Sequence, residues 1–166
     1  MQQVLYKIIN QKKVFFIVVV FTYKTCCAIN YSTEYKQCFE EAGLHYNIPP
    51  NLLFVIARVE SKLNPYALNV NSNGSYDIGI MQINSSWLKK LALVGVQHKD
   101  LIDGCKNIQV GAWILSQNIK KYGLTAEAIG RYNSATPYYK QKYVQRIFKE
   151  YSSVQKETQF IQLSSK

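Results

Sequence analysis

Between Pro49-Pro50 and Asn64-Pro65 lies a segment, Asn51 to Leu63, that is apolar on two helical faces and carries a glutamate near its end. At helical period Leu52, Val55, Val59 and Leu63 make one stripe, while Leu53, Ile56 and Ala57 lie seven, four and three residues before Glu60 on another. A helix apolar on two sides has to be enclosed by other elements, so the segment predicts a central helix around which the rest of the domain packs. Glu60 continues one of the apolar faces. Loss of hydration there favours the neutral carboxyl and raises its pKa, which makes Glu60 a candidate general acid. The competing reading is a glutamate at a fraying helix end, solvated or paired with Arg58 or Lys62.

After the break at Asn64-Pro65, the Asn, Ser and Gly content from Asn69 to Tyr76 marks an exposed loop, and Ser75 to Asn84 has room for a short hairpin or extended segment. It contains the run Asp77-Ile78-Gly79-Ile80-Met81-Gln82-Ile83-Asn84, which begins 17 residues after Glu60. The remaining elements read as helices. Ser32 or Thr33 caps one running to about Tyr46, Ser85 or Ser86 caps another through Leu93, and Thr125 caps a third through about Tyr132. Ile108, Ala112, Leu115 and Ile119 set a helix over Asn107 to Tyr122, with Gly123 past its end. A last helix runs from near Pro137 to about Tyr151, with Tyr139, Tyr143, Ile147 and Tyr151 on one face, and the polar residues 153–166 are expected to form a loose tail.

With 166 residues and 48% hydrophobic content the chain suits one globular domain. Four cysteines and two histidines, without Cys-x-x-Cys or His-x-x-x-His spacing, argue against a metal site, and no cofactor motif is present. The net charge of +10 would suit an anionic polymer, a membrane surface or a peptide-bearing cell wall. Nucleic acid has no motif behind it: there is no clustered Lys/Arg run, zinc-finger spacing or glycine-rich phosphate loop.

Lys7, Lys12 and Lys13 precede the apolar stretch Val14 to Phe21, and Thr25-Cys26-Cys27-Ala28 supplies small residues for a signal peptidase, so residues 1–28 are read as a secretory signal. Eight apolar residues fall short of the roughly 20 that span a bilayer, so no stable membrane span is expected after cleavage. Cleavage after Ala28 would remove four lysines and no acid, taking the net charge from +10 to +6. It would leave Cys38 and Cys105 as an even pair, bridged in an oxidising compartment or two buried thiols in the cytosol.

The order Glu60-Ser61-x-x-Asn64-Pro65-x-Ala67, then Gly79-Ile80-Met81-Gln82-Ile83-Asn84, then Tyr132-Asn133 and Tyr143-Val144, resembles the SLT-type lytic transglycosylases, lysozyme-like bacterial enzymes that cut peptidoglycan. The likeness spans Cys38 to about Tyr151 and is greatest to the small secreted members that accompany type III and type IV secretion and conjugation machines, where the Cys38–Cys105 pair also fits. It implies a mainly α, lysozyme-like α+β fold with a small hairpin or extended segment beside the catalytic helix, a domain over 29–152, and the periplasm of a Gram-negative bacterium; no large exposed apolar stripe demands a dimer, so a monomer is expected. It implies peptidoglycan glycan strands as substrate and a secretion apparatus as the possible partner.

By the same resemblance, Glu60 is the single catalytic acid/base and Ser61 contacts substrate beside it. Gly79 lets backbone approach the sugar, Met81 and Gln82 belong to the cleft wall with Gln82 hydrogen-bonding the sugar, the Tyr132 hydroxyl holds the catalytic carboxyl, and Asn133 lines the cleft. Arg131 replaces the small residue usual before that tyrosine, and either alters the charge of the cleft or points outward. The 17-residue offset of Asp77 also resembles the two-carboxylate arrangement of animal-type lysozymes, so Asp77 is a possible second carboxylate; the plainer reading is a turn aspartate accepting backbone hydrogen bonds beside Gly79. Trp87 and Trp113 are read as sugar platforms or core residues, and Tyr138 or Tyr139 as the cleft rim. His45 and His98 lack a nucleophile partner.

Overall fold

The computed structural model describes residues 34–164. The expected signal, 1–28, and the caps Ser32 and Thr33 lie outside them. Six α-helices occur among the described residues: α1 (Lys36–Tyr46), α2 (Pro50–Ser61), α3 (Leu88–Ala92), α4 (Gly104–Tyr122), α5 (Ala126–Asn133) and α6 (Pro137–Ser164). Two 3₁₀ turns, Ser85–Trp87 and His98–Ile102, flank α3. Strands β1 (Leu68–Val70), β2 (Tyr76–Ile78) and β3 (Ile83–Asn84) form one antiparallel sheet in sequence order. The described residues are mainly helical with one small antiparallel sheet beside α2, as expected.

Helix α2 is the enclosed one. Every residue from Leu52 to Ala57 is buried, so both apolar stripes are covered, by α1, α4 and α6. Pro50 starts it at a position where a missing N–H costs nothing. Lys62 ends it in the left-handed conformation, its N–H on the carbonyls of Ala57 and Arg58. Phe39 of α1 meets Phe54 edge to face, with ring centroids 5.7 Å apart. A disulfide ties α1 to α4 through Cys38 and Cys105.

Helix α4 begins at Gly104, earlier than its apolar pattern suggests, because the Asp103 carboxylate accepts from the N–H of Lys106 at 2.9 Å. Thr125 caps α5 as expected. Ahead of α3, Asn84 caps the 3₁₀ turn Ser85–Trp87 by accepting from Ser86 N–H, α3 itself has no side-chain cap, and the Ser85 hydroxyl instead accepts from Tyr76 N–H in the sheet. The larger departure is at the C-terminus: the expected loose tail is the second half of α6. Val154 and Thr158 are buried there, continuing the stripe of Tyr143, Ile147 and Tyr151. Arg58 of α2 reaches Glu150 at 2.6 Å and Glu157 at 2.8 Å, so the far turns are fastened to the central helix. Among the described residues no helix is long and apolar enough to cross a membrane.

Candidate active site

The C-terminal end of α2 projects Val59 and Glu60 into a cavity of about 860 Å³. The sheet supplies one wall, with Asn69, Asn71, Ser75, Asp77, Gln82 and Asn84; α5, its C-cap and α6 supply the other, with Tyr132, Asn133, Ser134, Tyr139 and Arg146. Strand alternation explains the sheet's polarity. Asn69, Asp77 and Asn84 are register partners whose side chains face the cavity, whereas Leu68, Val70, Tyr76 and Ile78 line a separate apolar hollow on the other face. A cavity walled by amides and hydroxyls suits a polyhydroxylated, amide-bearing ligand better than an apolar one.

Glu60 is half-buried and accepts a 2.5 Å hydrogen bond at Oε1 from the Tyr143 hydroxyl. Loss of hydration raises its pKa from 4.5 to about 7; the Tyr143 bond and the Arg146 guanidinium oppose that rise, and the Asp77 carboxylate adds to it. Burial and the nearby Glu60 charge push the Tyr143 phenol well above its ordinary range, so it remains a donor at neutral pH. The helix therefore ends in a carboxyl that is protonated about half the time near neutrality and is aimed by a neutral phenol. Such a group can both give and take a proton.

The cleft loop is held from behind. Asn107 on α4 is fully buried; its Nδ2 donates to the carbonyls of Ile78 at 2.9 Å and Leu101 at 2.8 Å, and its Oδ1 accepts from Met81 N–H at 2.8 Å. One turn further along α4, Gly111 admits the Met81 side chain, since a Cβ there would lie 2.8 Å from the Met81 Cβ. Gly79 has φ +77°, and a Cβ on it would strike the Asn107 amide and come within 2.6 Å of the Leu101 carbonyl. The loop thus returns at Gln82, itself at φ 50°, with its N–H on the Gly79 carbonyl at 3.1 Å.

The family profile described as Transglycosylase SLT domain matches residues 37–154. The chain belongs to that family. Among curated relatives of this SLT domain, Invasion protein IagB of Salmonella typhi is 37% identical over 142 residues, 82% of this chain and 85% of the relative. Protein IpgF of Shigella sonnei is 38% identical over 143 residues, 83% of this chain and 93% of the relative. X polypeptide of Escherichia coli is 38% identical over 107 residues, 64% of this chain and 63% of the relative. Among solved structures, lytic transglycosylase Slt of Pseudomonas aeruginosa matches the fold with a TM-score of 0.62 at 18% identity, over 76% of this chain and 25% of that one.

Within this SLT domain Glu60, Gln82, Tyr132, Asn133 and Asp77 all line one cavity, while Ser61, Gly79 and Met81 stand outside its lining. One expected contact is made by a different residue. The hydroxyl that holds the Glu60 carboxyl is on Tyr143; Tyr132 donates instead to the Met81 carbonyl at 2.9 Å and clamps the cleft loop. Ser61 donates its hydroxyl hydrogen to the Ile80 carbonyl at 2.8 Å, joining α2 to the same loop. Asn107 and the Leu101 carbonyl approach Gly79 closely, and Met81 is fully buried against α4. Gln82 spends its amide hydrogens on the carbonyls of Gly79 at 2.8 Å and Ala67 at 3.2 Å, and its Oε1 accepts from Asn69, which leaves one lone pair for a ligand.

Asp77 is a strand residue, not a turn aspartate. Its oxygens accept side-chain amide protons from Asn84 at 2.7 Å and Asn71 at 3.0 Å. Arg131 points outward, with Nε 2.5 Å from Glu127 and its guanidinium 4.6 Å from the Tyr122 ring centroid. Trp87 lines the cavity and packs edge to face on Trp113, with the Lys90 ammonium over both rings. Of the rim tyrosines, Tyr139 lines the cavity. Asn107 and Arg146 are the site-building residues that the sequence reading missed. An asparagine on the apolar face of α4, and an arginine three residues after the motif tyrosine Tyr143, were the available signals.

Proposed function

We propose that this protein is a peptidoglycan lytic transglycosylase, cutting the bond between N-acetylmuramic acid and N-acetylglucosamine and leaving 1,6-anhydro ends. The observation that carries this reading is the Glu60 carboxyl, poised at a pKa of about 7 in an amide-lined cleft and held by Tyr143. Protonated Glu60 gives its proton to the glycosidic oxygen as the bond from that oxygen to the anomeric carbon breaks. The acetamido oxygen of the muramic acid stabilises the positive charge left at that carbon. The Glu60 carboxylate then takes the proton of the muramic acid 6-hydroxyl, whose oxygen closes on the anomeric carbon. No water is consumed and Glu60 regains its proton. Tyr143 assists the first half, because a phenol donating to Oε1 stabilises the carboxylate that proton donation leaves.

A hydrolytic outcome is the second reading, and Asp77 favours it. Two asparagine amides hold that carboxylate in the same cavity as Glu60, in the manner of an ionised partner that steadies a cationic sugar while water attacks. Mass spectrometry of sugars released from purified peptidoglycan separates the two readings. Anhydro ends that disappear in Glu60→Gln establish the transglycosylase; reducing ends promote Asp77, and undiminished release by Glu60→Gln overturns both.

The setting is the periplasm of a Gram-negative bacterium, where a monomer with a bridged Cys38–Cys105 pair opens the wall locally for a secretion or conjugation apparatus. Support comes from the disulfide and from a curated relative named as an invasion protein. Residues 1–28 serve as the export signal, and the transglycosylase domain starts at 29 and takes in the last turns of α6, past the expected boundary at 152.

A further inference from the structure

Glu60 has to serve twice under the proposed reaction, first as an acid and then as a base, and the second task begins with a carboxylate left in a poorly hydrated site. The last turn of α2 shows what meets that charge. Three of its terminal carbonyls have partners: Arg58 accepts from Lys62 N–H at 3.1 Å, Ser61 from Asn64 N–H at 3.2 Å, and Val59 from the Arg146 guanidinium at 3.0 Å. Only the Val59 carbonyl, on the peptide leading into Glu60, is met by a cation. Arg146 lies three residues after Tyr143, so one face of α6 delivers a phenol to the Glu60 carboxyl and a guanidinium to the peptide before it. A cation at the negative end of a helix is well placed. Among the described residues lining the cavity, Arg146 is the sole Lys or Arg side chain.

We infer that Arg146 is a positioning residue for the reaction: by capping the Val59 carbonyl it fixes the end of α2, and by its charge it stabilises the carboxylate form of Glu60 between proton donation and proton return. This rests on the proposed transglycosylase reading. The proton balance closes within Glu60: the one given to the glycosidic oxygen is replaced by the one taken from the 6-hydroxyl, and Arg146 neither gains nor loses any. The charged or titratable groups acting on Glu60 are Asp77 from the sheet and Tyr143 and Arg146 from α6, and the buried Tyr132 phenol of α5 feels the Glu60 charge. Arg146 is the cation among them. Tyr143 aims the carboxyl but brings no charge, and Asp77 opposes ionisation.

The test uses Arg146→Gln and Arg146→Lys in the whole mature protein, with two readouts. The first is titration of the Glu60 carboxyl, followed by carbon-13 NMR of labelled glutamate and assigned with Glu60→Gln. It should move to higher pH in Arg146→Gln and largely return in Arg146→Lys. The second is turnover on purified peptidoglycan across pH. In Arg146→Gln kcat should fall by roughly tenfold while KM changes little, with the alkaline fall-off displaced upward; Arg146→Lys should recover the fall-off but only part of kcat, since lysine lacks the planar fork. An unmoved titration, or a loss of turnover that merely tracks a lower melting temperature in both variants, overturns the inference. If the wild-type protein releases no sugars, the proposed reaction fails by itself, and the titration alone decides whether Arg146 stabilises the Glu60 carboxylate.

Discussion

Replacing Glu60 by glutamine should make the protein more stable as well as inactive, and the gain should depend on pH. In the unfolded chain the carboxyl titrates near 4.5; in the fold it titrates near 7. Between those values the folded state retains a proton that the unfolded state has released, so wild-type stability falls as pH rises through that window. At about 1.4 kcal/mol per pH unit the full gap amounts to roughly 3 kcal/mol, and about 2 kcal/mol once water reaching the half-buried carboxyl is allowed for. Glutamine has nearly the shape of the protonated acid and does not titrate. Urea unfolding of both proteins at intervals from pH 4 to 8 should therefore give curves that nearly coincide at the acid end and separate by about 2 kcal/mol at the alkaline end, with the variant more stable. Parallel curves with a constant offset would refute the reasoning, because they would mean that Glu60 titrates alike in both states.

Turnover by the wild-type protein should decline as pH rises above about 7, where Glu60 loses the proton it donates; a rate that keeps rising to pH 9 would contradict the acid assignment. Tyr143→Phe should cut kcat by about tenfold to a hundredfold and move that decline to higher pH, whereas Tyr132→Phe, which frees only the Met81 carbonyl, should leave the position of the decline unchanged. Asn107→Ala orphans the Ile78 and Leu101 carbonyls and the Met81 N–H; at about 1–3 kcal/mol each the loss should exceed about 3 kcal/mol in urea unfolding, and a loss under 1 kcal/mol would show that the loop relaxes around the gap. Reducing the Cys38–Cys105 disulfide opens a loop of 67 residues and should lower stability by roughly 4 kcal/mol, checked by thermal melts with and without a phosphine reductant.

What was readable in advance follows from how locally each feature is encoded. The doubled apolar stripe of α2 needs only helical period, and the Gly-Ile-Met-Gln run needs only short-range order, so both emerged with Glu60 in place. The partner of Glu60 did not. Tyr132 and Tyr143 both sit on helices near the cleft, and which hydroxyl reaches the carboxyl depends on how α5 and α6 pack against α2, a long-range fact that no spacing encodes. The inward partners of Ser61 and Gly79 were hidden for a related reason: each touches a segment distant in sequence, Ile80 and Asn107, which a reading within the motifs does not show. The second half of α6 was lost to its polar composition, although Val154 and Thr158 kept the period of Tyr143 and Ile147 and their burial is what orders the turns.

Those turns have a practical meaning for anyone handling the protein. Glu157, near the chain's end, grips Arg58, which stands two residues before Glu60 on the same helix. Trimming the chain at residue 152, as its composition invites, would cut away Val154, Glu157 and Thr158 together and leave Arg58 with Glu150 alone. The last turns of α6 therefore act as a brace on the helix that carries Glu60, and an affinity tag is better placed ahead of α1 than after α6.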